Sequence, residues 1–178
     1  DGHRHYTHVS AEFDTEKRVA TLTVRSPTSP PAANVHELMA LGANNWSFSA
    51  FRELEDALLH VRFNHPTIGL VILRTDGDSE QVLAHDAALA SMAGEWLADE
   101  IRWYQARVLR RIDNTAKSLF AIIDEGSCFS GVLFELALAA DRSFMLEDED
   151  QAVSITVSQA SAGSFPMATG RSRLQNRF

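Results

Sequence analysis

One stretch, residues 119–146, constrains the fold most because it has the pattern of a strand, a glycine turn, a buried helix and a second strand. Residues 119–123 (Leu-Phe-Ala-Ile-Ile) are all apolar, as expected of a strand covered on both faces. Gly126 lets the backbone leave that strand sharply, and Ser130 is a suitable N-cap for the helix. The helix is apolar nearly all round, with Glu135 as its one carboxylate. Such a helix is buried, and its N-terminus suits an anion or a polarised carbonyl.

The rest of the chain alternates between strand and helix patterns. Apolar and polar residues alternate over Thr7–Phe13 and again over Ala20–Val24, with a turn between them, which predicts a β-hairpin. Beyond the hairpin, the spacing predicts a helix after Asn45 that ends at His65-Pro66, a strand over 68–73, helices over 81–93 and 96–117, a strand over 152–157 and a last helix over 169–178. This alternation is typical of an α/β domain whose sheet faces are covered by helices.

Charge and apolar patterning exclude several classes of function. The formal net charge is -8, whereas general nucleic-acid binding needs a basic face. No apolar run approaches the roughly 18 residues that a membrane span needs, and a single cysteine cannot form an internal disulfide. We therefore expect a cytoplasmic protein that binds neither nucleic acid nor membrane. Because the chain begins at Asp1 and its last residues still follow a helical pattern, we also expect a fragment of a longer protein.

Several motifs in the chain resemble those of the crotonase (enoyl-CoA hydratase/isomerase) superfamily. Gly126 is followed by Glu135-Leu136-Ala137 and then by Asp141 on the predicted buried helix. A Gly163-x-x-Pro166 loop then precedes Arg173-Leu174 at the spacing that the superfamily has. The order of the predicted elements also agrees, so the resemblance covers nearly the whole chain.

The resemblance implies one crotonase-like (ClpP/crotonase-type) domain over residues 1–178. In this fold a spiral of βα units forms a mixed, mainly parallel sheet flanked by helices. A closer resemblance is to a double-length family of the superfamily, and it lies in residues 126–131, 135–145, 166–167 and 172–175. In that family the N-terminal half carries the active site, and the divergent C-terminal half, which this chain resembles, is a scaffold for dimerisation.

For function, this resemblance implies a segment of a lyase of aerobic benzoate degradation that opens the dearomatised ring of an oxygenated benzoyl-CoA. The acyl-CoA substrate would be bound mainly by the N-terminal half, no further cofactor would be needed, and the protein would be a homo-oligomer. Two alternatives stay open. One is an active crotonase-type enoyl-CoA hydratase or isomerase that uses Glu135, and the other is an interaction domain without enzymatic activity.

Crotonase chemistry needs two backbone N–H groups that hold the thioester oxygen as it gains negative charge. By its position in the sequence, Gly77 matches the residue that supplies the first of these N–H groups, and Gly131 matches the second. Aspartates on both sides of Gly77 oppose an oxyanion there and favour a plain surface turn. Gly131 stands where the superfamily has a triple glycine, and residues 132–134 (Val-Leu-Phe) would fill the space that a thioester needs. We therefore expect a packed-over remnant of an oxyanion site.

The resemblance also assigns positions to the two carboxylates that move protons. Glu135 matches one of them, and burial on an apolar helix favours the raised pKa that proton transfer requires. The alternative is that Glu135 pairs with a buried arginine or caps a neighbouring turn. The second position is Gln159, whose amide cannot act as a general base. Glu135 is thus the one candidate catalytic residue, and a mechanism with two glutamates is not expected.

Three further groups of residues are candidates for chemistry or binding. Cys128 has apolar neighbours and no histidine nearby in sequence, which favours a buried side chain over a nucleophile. His3, His5 and His8 lie in a terminus that we expect to be frayed and solvated rather than a metal site. Basic residues could bind CoA phosphates, but the acidic surplus, including 147–150, favours ion pairs or a subunit interface. These basic residues are Arg110, Arg111, Lys117, Arg171, Arg173 and Arg177.

Overall fold

The computed structural model describes residues 2–147 and 153–178, and within them six strands form a single mixed sheet. The strands lie in the sheet in chain order: β1 (His3–His5), β2 (Val9–Asp14), β3 (Val19–Arg25), β4 (Leu70–Asp76), β5 (Ser118–Ile123) and β6 (Arg142–Met145). β1, β2 and β3 are antiparallel neighbours, whereas β3, β4, β5 and β6 are parallel neighbours. Each parallel connection passes through at least one helix, as parallel strands require.

The helices of the same residues flank this sheet. They are α1 (Val35–Leu41), α2 (Trp46–Asn64), α3 (Ser79–Ser91), α4 (Trp96–Asp113), α5 (Gly131–Ala139) and α6 (Arg173–Arg177), with 3₁₀ turns at Gly42–Asn44 and Gln159–Ala162. α2 packs against β2, β3 and α4, while α5 packs against α3, α4 and β5. The predicted α/β fold with a mixed, mainly parallel sheet is therefore confirmed. In the described part of the chain, no helix combines the length and the apolar character needed to cross a bilayer.

Burial differs between the two faces of the sheet. In β5, Leu119, Ala121 and Ile123 are at most 3% exposed and share one core with α2, α4 and α5. Phe120 and Ile122, which point to the other face, are only half-buried. The prediction that this strand is covered on both faces is therefore wrong. An apolar residue can lie on a partly covered face when side chains of a neighbouring strand shield it. The ring of Phe144 on β6 packs in this way against the ring of Phe120 on β5.

The elements near both ends of the chain differ from the sequence prediction. The N-terminal residues are not frayed, because β1 pairs with β2 and Arg4 forms an ion pair with Asp56 of α2 at 2.8 Å. The strand predicted over 152–157 is reduced to an isolated bridge between Thr156 and Ser130, and Ala152 and the acidic residues 148–150 lie outside the described residues. The last helix begins only at Arg173, after a turn closed by hydrogen bonds between Met167 and the two residues Gly170 and Arg171.

One helix, α1, has no counterpart in the sequence prediction. Its N-cap is Asn34, whose side chain accepts a hydrogen bond from the N–H group of Glu37. The carboxylate of Glu37 in turn accepts a hydrogen bond from the backbone N–H group of Ala33, just before the N-cap. Two side-chain hydrogen bonds therefore fix the start of this helix. This cap is the local sequence signal that a polar loop is about to become a helix.

Candidate functional site

Glu135 lies in the middle of α5, where the chain buries it completely. Residues 131–138 of α5 are all buried, and Glu135 is 1% exposed. Its Oε2 atom accepts a hydrogen bond from Nη1 of Arg173 at 2.9 Å. Arg173 is placed for this contact by a capping box at the start of α6, in which Ser172 and Gln175 bond to each other's backbone N–H groups.

The guanidinium of Arg173 joins three parts of the chain. Its Nη2 and Nε atoms donate to the two carboxylate oxygens of Asp113, at the end of α4, at 2.6 and 2.8 Å. Its Nη1 atom also donates to the carbonyl oxygen of Phe165 at 2.9 Å. The sequence left open whether Glu135 is a proton-transfer group, the partner of a buried arginine or the cap of a neighbouring turn, and the structure shows the buried pair. Arg173, considered above for CoA phosphates, is occupied by these ion pairs.

Two effects on the pKa of Glu135 oppose each other. Burial raises this pKa, and the hydrogen bond and positive charge of Arg173 only partly offset the increase. Within residues 2–147 and 153–178, the second oxygen, Oε1, has no hydrogen-bond partner, and neither has the buried hydroxyl of Ser161, although this hydroxyl lies near enough to lower the pKa of Glu135. A raised pKa alone suits an acid or base, but the carboxylate faces Arg173 rather than a vacant reaction site.

The N-terminus of α5 is capped by a residue that the sequence did not indicate. Ser130 occupies the N-cap position, as predicted, but its hydroxyl donates to the carbonyl oxygen of Ser79 at 3.2 Å and caps nothing. The cap is Asp86 of α3, whose Oδ2 atom accepts a hydrogen bond from the N–H group of Val132 at 2.6 Å. A carboxylate from a neighbouring helix thus occupies the anion-binding end of α5.

Burial dominates the electrostatics of Asp86. It raises the pKa of Asp86 to about 7, although the hydrogen bond from Val132 and the charge of Arg102 lower it, and the charge of Glu135 raises it further. A single aspartate in the alanine-rich segment 84–90 is the only local sequence signal of this role. Nothing in that segment indicates which helix end the carboxylate reaches.

Neither of the two candidate oxyanion glycines has a free N–H group. The N–H of Gly131 donates to the carbonyl oxygen of Thr156 at 3.2 Å, and the N–H of Gly77 donates to that of Gly126 at 2.9 Å. Gly131 has a φ of +48°, and a Cβ atom there would lie 2.1 Å from the Asp86 carboxylate. Gly77 ends β4 in a tight turn with a φ of +124°. Both glycines therefore serve the backbone and close packing in this structure.

A cavity of about 590 Å³ lies beside Asp86, between α3, α4 and the segment 158–165. Its walls are mainly apolar, with Leu83, Leu89 and Phe165 among the lining residues. Gln159, the residue at the position of the superfamily's second carboxylate, also lines it. The structure therefore places Gln159 and Asp86 at one cavity, and no glutamate is among the described residues that line it.

The remaining candidates have structural roles. Cys128 is fully buried, and burial raises its pKa to about 11, so it is not a reactive thiolate. The rings of His3 and His5 stack on each other in β1, and no group of three or more His, Cys, Asp or Glu in the described residues could hold a metal ion. Three of the other basic candidates make protein contacts: Arg177 donates to the carbonyls that end α5, Arg111 pairs with Glu55, and Lys117 donates to the carbonyl of Ile68.

The fold and the site define a protein of the crotonase class in architecture. The structure superimposes on the crystal structure of an enoyl-CoA hydratase from Geobacillus kaustophilus HTA426 with a TM-score of 0.53, covering 80% of this chain and 47% of that chain at 17% identity. This likeness confirms the crotonase-like fold. No protein-family model matches the chain.

The chain is also similar to benzoyl-CoA-dihydrodiol lyase from Aromatoleum evansii. This chain is 42% identical to it over 174 residues, which is 98% of this chain and 31% of the lyase. The chain therefore spans about a third of the length of the curated relative that it matches. The predicted resemblance to a benzoyl-CoA lyase is confirmed, while its assignment to the C-terminal half stays a prediction.

Proposed function

We propose that this chain is a segment of a CoA-thioester lyase that opens the dearomatised ring of an oxygenated benzoyl-CoA in aerobic benzoate degradation. The segment is a largely non-catalytic scaffold and oligomerisation domain of a cytoplasmic enzyme. The acyl-CoA is bound mainly by an N-terminal half outside this chain, and no further cofactor is needed. Support for the lyase comes from the 42% identity to benzoyl-CoA-dihydrodiol lyase, and the fold shared with an enoyl-CoA hydratase supports processing of CoA thioesters.

One observation carries the scaffold role. The groups that crotonase chemistry would use, Oε2 of Glu135 and the N–H groups of Gly77 and Gly131, are already bonded within the chain. Arg173 forms an ion pair with the Glu135 carboxylate, and Asp86 accepts a hydrogen bond from the N–H group of Val132 at the start of α5. Catalysis by a hydratase or isomerase would require groups that form stronger interactions in the transition state than in the resting protein. Groups that are paired internally cannot do this without breaking those pairs, so the alternative of an active enzyme using Glu135 is not favoured.

In a complete lyase that contains this segment, Glu135→Gln should change kcat by less than about threefold, which is under 1 kcal/mol of activation free energy. Glutamine still accepts a hydrogen bond from Arg173 but cannot transfer a proton. The measurement is steady-state turnover of the benzoyl-CoA-derived substrate, with the far-UV circular dichroism spectrum as a check of folding. Glu125→Gln, an exposed glutamate in the preceding turn, is the matched control. A loss of several powers of ten in a folded Glu135→Gln protein would refute the scaffold role.

Oligomerisation should involve the exposed side of α4 that carries Trp96 and Trp103. Trp96 and Trp103 lie two turns apart on the same side of this helix and are 62% and 64% exposed, so the two rings can contact one partner surface. Sedimentation velocity of the chain should show a dimer or higher oligomer at micromolar concentration, and Trp103→Glu should shift it towards the monomer. Phe63→Glu, which changes an equally exposed residue on α2, should leave the oligomer unchanged. A monomeric wild-type chain would contradict this part of the proposal.

A further inference from the structure

We propose that the cavity between α3, α4 and the segment 158–165 is a binding site for a free α-amino acid with an apolar side chain. Among the described residues that line it, one carboxylate, one guanidinium and several apolar side chains meet. An apolar α-amino acid carries the three complementary groups, which are an ammonium, a carboxylate and an apolar side chain. The inference goes beyond the proposed function and depends on neither the acyl-CoA substrate nor the scaffold role.

The first step is the carboxylate of Asp86, which would bind the ammonium group of the ligand. Its Oδ2 atom accepts the hydrogen bond from Val132, whereas its Oδ1 atom has no hydrogen-bond partner within residues 2–147 and 153–178. Gln105 lines the same cavity and is 1% exposed, and its Oε1 atom is unpaired among the same residues. An ammonium has three N–H donors and can donate to both oxygens. Because an unpaired buried amide oxygen is costly, a donor at this position would stabilise the protein.

The second step is the guanidinium of Arg102, which would bind the carboxylate of the ligand. The side chain of Arg102 is 27% exposed, and in the described part of the chain its one ion pair is a long contact of 4.0 Å to Asp99. Arg102 precedes Gln105 by three residues, so both side chains lie on the same side of α4. A guanidinium can form two parallel hydrogen bonds with a carboxylate, which the long contact to Asp99 does not provide.

The third step is the spacing between these two charged groups. The charge of Arg102 lowers the pKa of Asp86, yet the two side chains form no ion pair with each other. They are therefore near each other without being in direct contact. The ammonium and carboxylate of an α-amino acid are attached to one carbon atom, so they fit between two such groups. The cavity, of about 590 Å³, is also lined by Leu83, Leu89 and Phe165, which would contact the apolar side chain of the ligand.

The experiment is calorimetric titration of L-leucine into the chain at about pH 8, where a dissociation constant below about 1 mM is expected. Isocaproate, which lacks the amino group of leucine, and isopentylamine, which lacks its carboxylate, should each bind at least about tenfold more weakly. Equal binding of the three compounds would show a cavity that takes any apolar molecule and would overturn the inference. A folded chain that does not bind leucine would overturn it as well.

Substitutions assign the groups of the ligand to those of the cavity. Arg102→Met should weaken leucine binding at least about tenfold and leave isopentylamine binding unchanged, whereas Asp86→Asn should weaken leucine binding and leave isocaproate binding unchanged. Arg107→Met, which removes an exposed arginine of the same helix outside the cavity, is the matched control. Ala90→Trp, which fills the cavity from its α3 wall, should abolish leucine binding. Far-UV circular dichroism establishes that each variant folds, and leucine binding retained in folded Ala90→Trp would contradict the location of the site.

A second readout tests the contact between the ammonium group and Asp86. Burial raises the pKa of Asp86 to about 7, with Glu135 raising it further and Arg102 lowering it, so this carboxyl group is mostly protonated at about pH 6. A bound ammonium favours the charged carboxylate, so leucine binding at this pH should release a proton. Titration in two buffers of different ionisation enthalpy measures this release, which Asp86→Asn should not show. Leucine binding to the wild type without proton release would refute the assignment of Asp86 as the partner of the ammonium.

Discussion

Arg173→Met should lower the free energy of unfolding by about 3–5 kcal/mol, the usual loss when one partner of a buried ion pair is removed. The arginine is 2% exposed and forms ion pairs with the buried carboxylates of Glu135 and Asp113. Methionine has a similar length but no donor, so both carboxylates and the carbonyl oxygen of Phe165 would stay buried without their partner. The cost arises from these unpaired groups more than from the lost attraction itself.

Urea unfolding followed by circular dichroism measures this loss. Arg171→Met is the matched control, because Arg171 is exposed two residues earlier and the change should stay within about 0.5 kcal/mol. The double variant Arg173→Met with Glu135→Gln should recover part of the stability, since it removes one of the two stranded charges. A loss below about 1 kcal/mol in the single variant would show that water or other groups satisfy the carboxylates when Arg173 is absent.

The elements of the fold could be predicted from the sequence where buried residues form a recognisable local pattern. The run 119–123, the turn at Gly126 and the apolar helix around Glu135 each carry a pattern that few other structures produce, and the observed β5 and α5 match them. The long helices α2 and α4 are predicted by apolar residues at helical spacing, with ends correct to a few residues. Local pattern and global packing agree for these elements, which is why they could be predicted.

The site could not be predicted to the same degree, because its contacts join residues far apart in the chain. The bond from Val132 to Asp86 spans 46 residues, and the pair of Arg173 with Asp113 spans 60. An aspartate in an alanine-rich helix has the appearance of a solvated side chain until the packing of α3 against α5 is known. The same reason explains β1, since Arg4 finds its partner Asp56 only through the fold.

Charged side chains of opposite sign satisfy the two ends of α5. At the start of α5, Asp86 accepts a hydrogen bond from the N–H group of Val132. At its end, Arg177 donates to the carbonyls of Ala137, Leu138 and Ala140. Negative charge at the N-terminus and positive charge at the C-terminus are the arrangement that the helix dipole favours. A short helix buried in the core thus keeps its end groups bonded without water. This arrangement explains why the helix N-terminus is unavailable to a ligand in the wild-type chain.

Asp86→Asn should make the protein more stable than the wild type at pH 8 and should remove part of its pH dependence. The pKa of Asp86 is raised from 3.8 to about 7, so the native state holds a proton that the unfolded chain has already released between these values. Stability of the wild type therefore falls as pH rises from about 4 to 7, by about 2–4 kcal/mol for a shift of this size. Asparagine keeps the acceptor for Val132 but has no charge to bury.

The measurement is the free energy of urea unfolding at intervals from pH 4.5 to 8 for both proteins. The difference between Asp86→Asn and the wild type should grow with pH and level off above about pH 7, because the wild-type carboxylate is then ionised. Glu135, whose charge raises the pKa of Asp86, and Arg102, whose charge lowers it, are present in both proteins. The difference therefore reports the Asp86 carboxylate together with its coupling to these two groups. Asp14→Asn is the control, since the pKa of Asp14 is lowered by its hydrogen bonds with Lys17 and its contribution should be constant over this range. Parallel stability curves for Asp86→Asn and the wild type would mean that the Asp86 carboxylate is ionised at no cost, and that its bond to Val132 compensates for its burial.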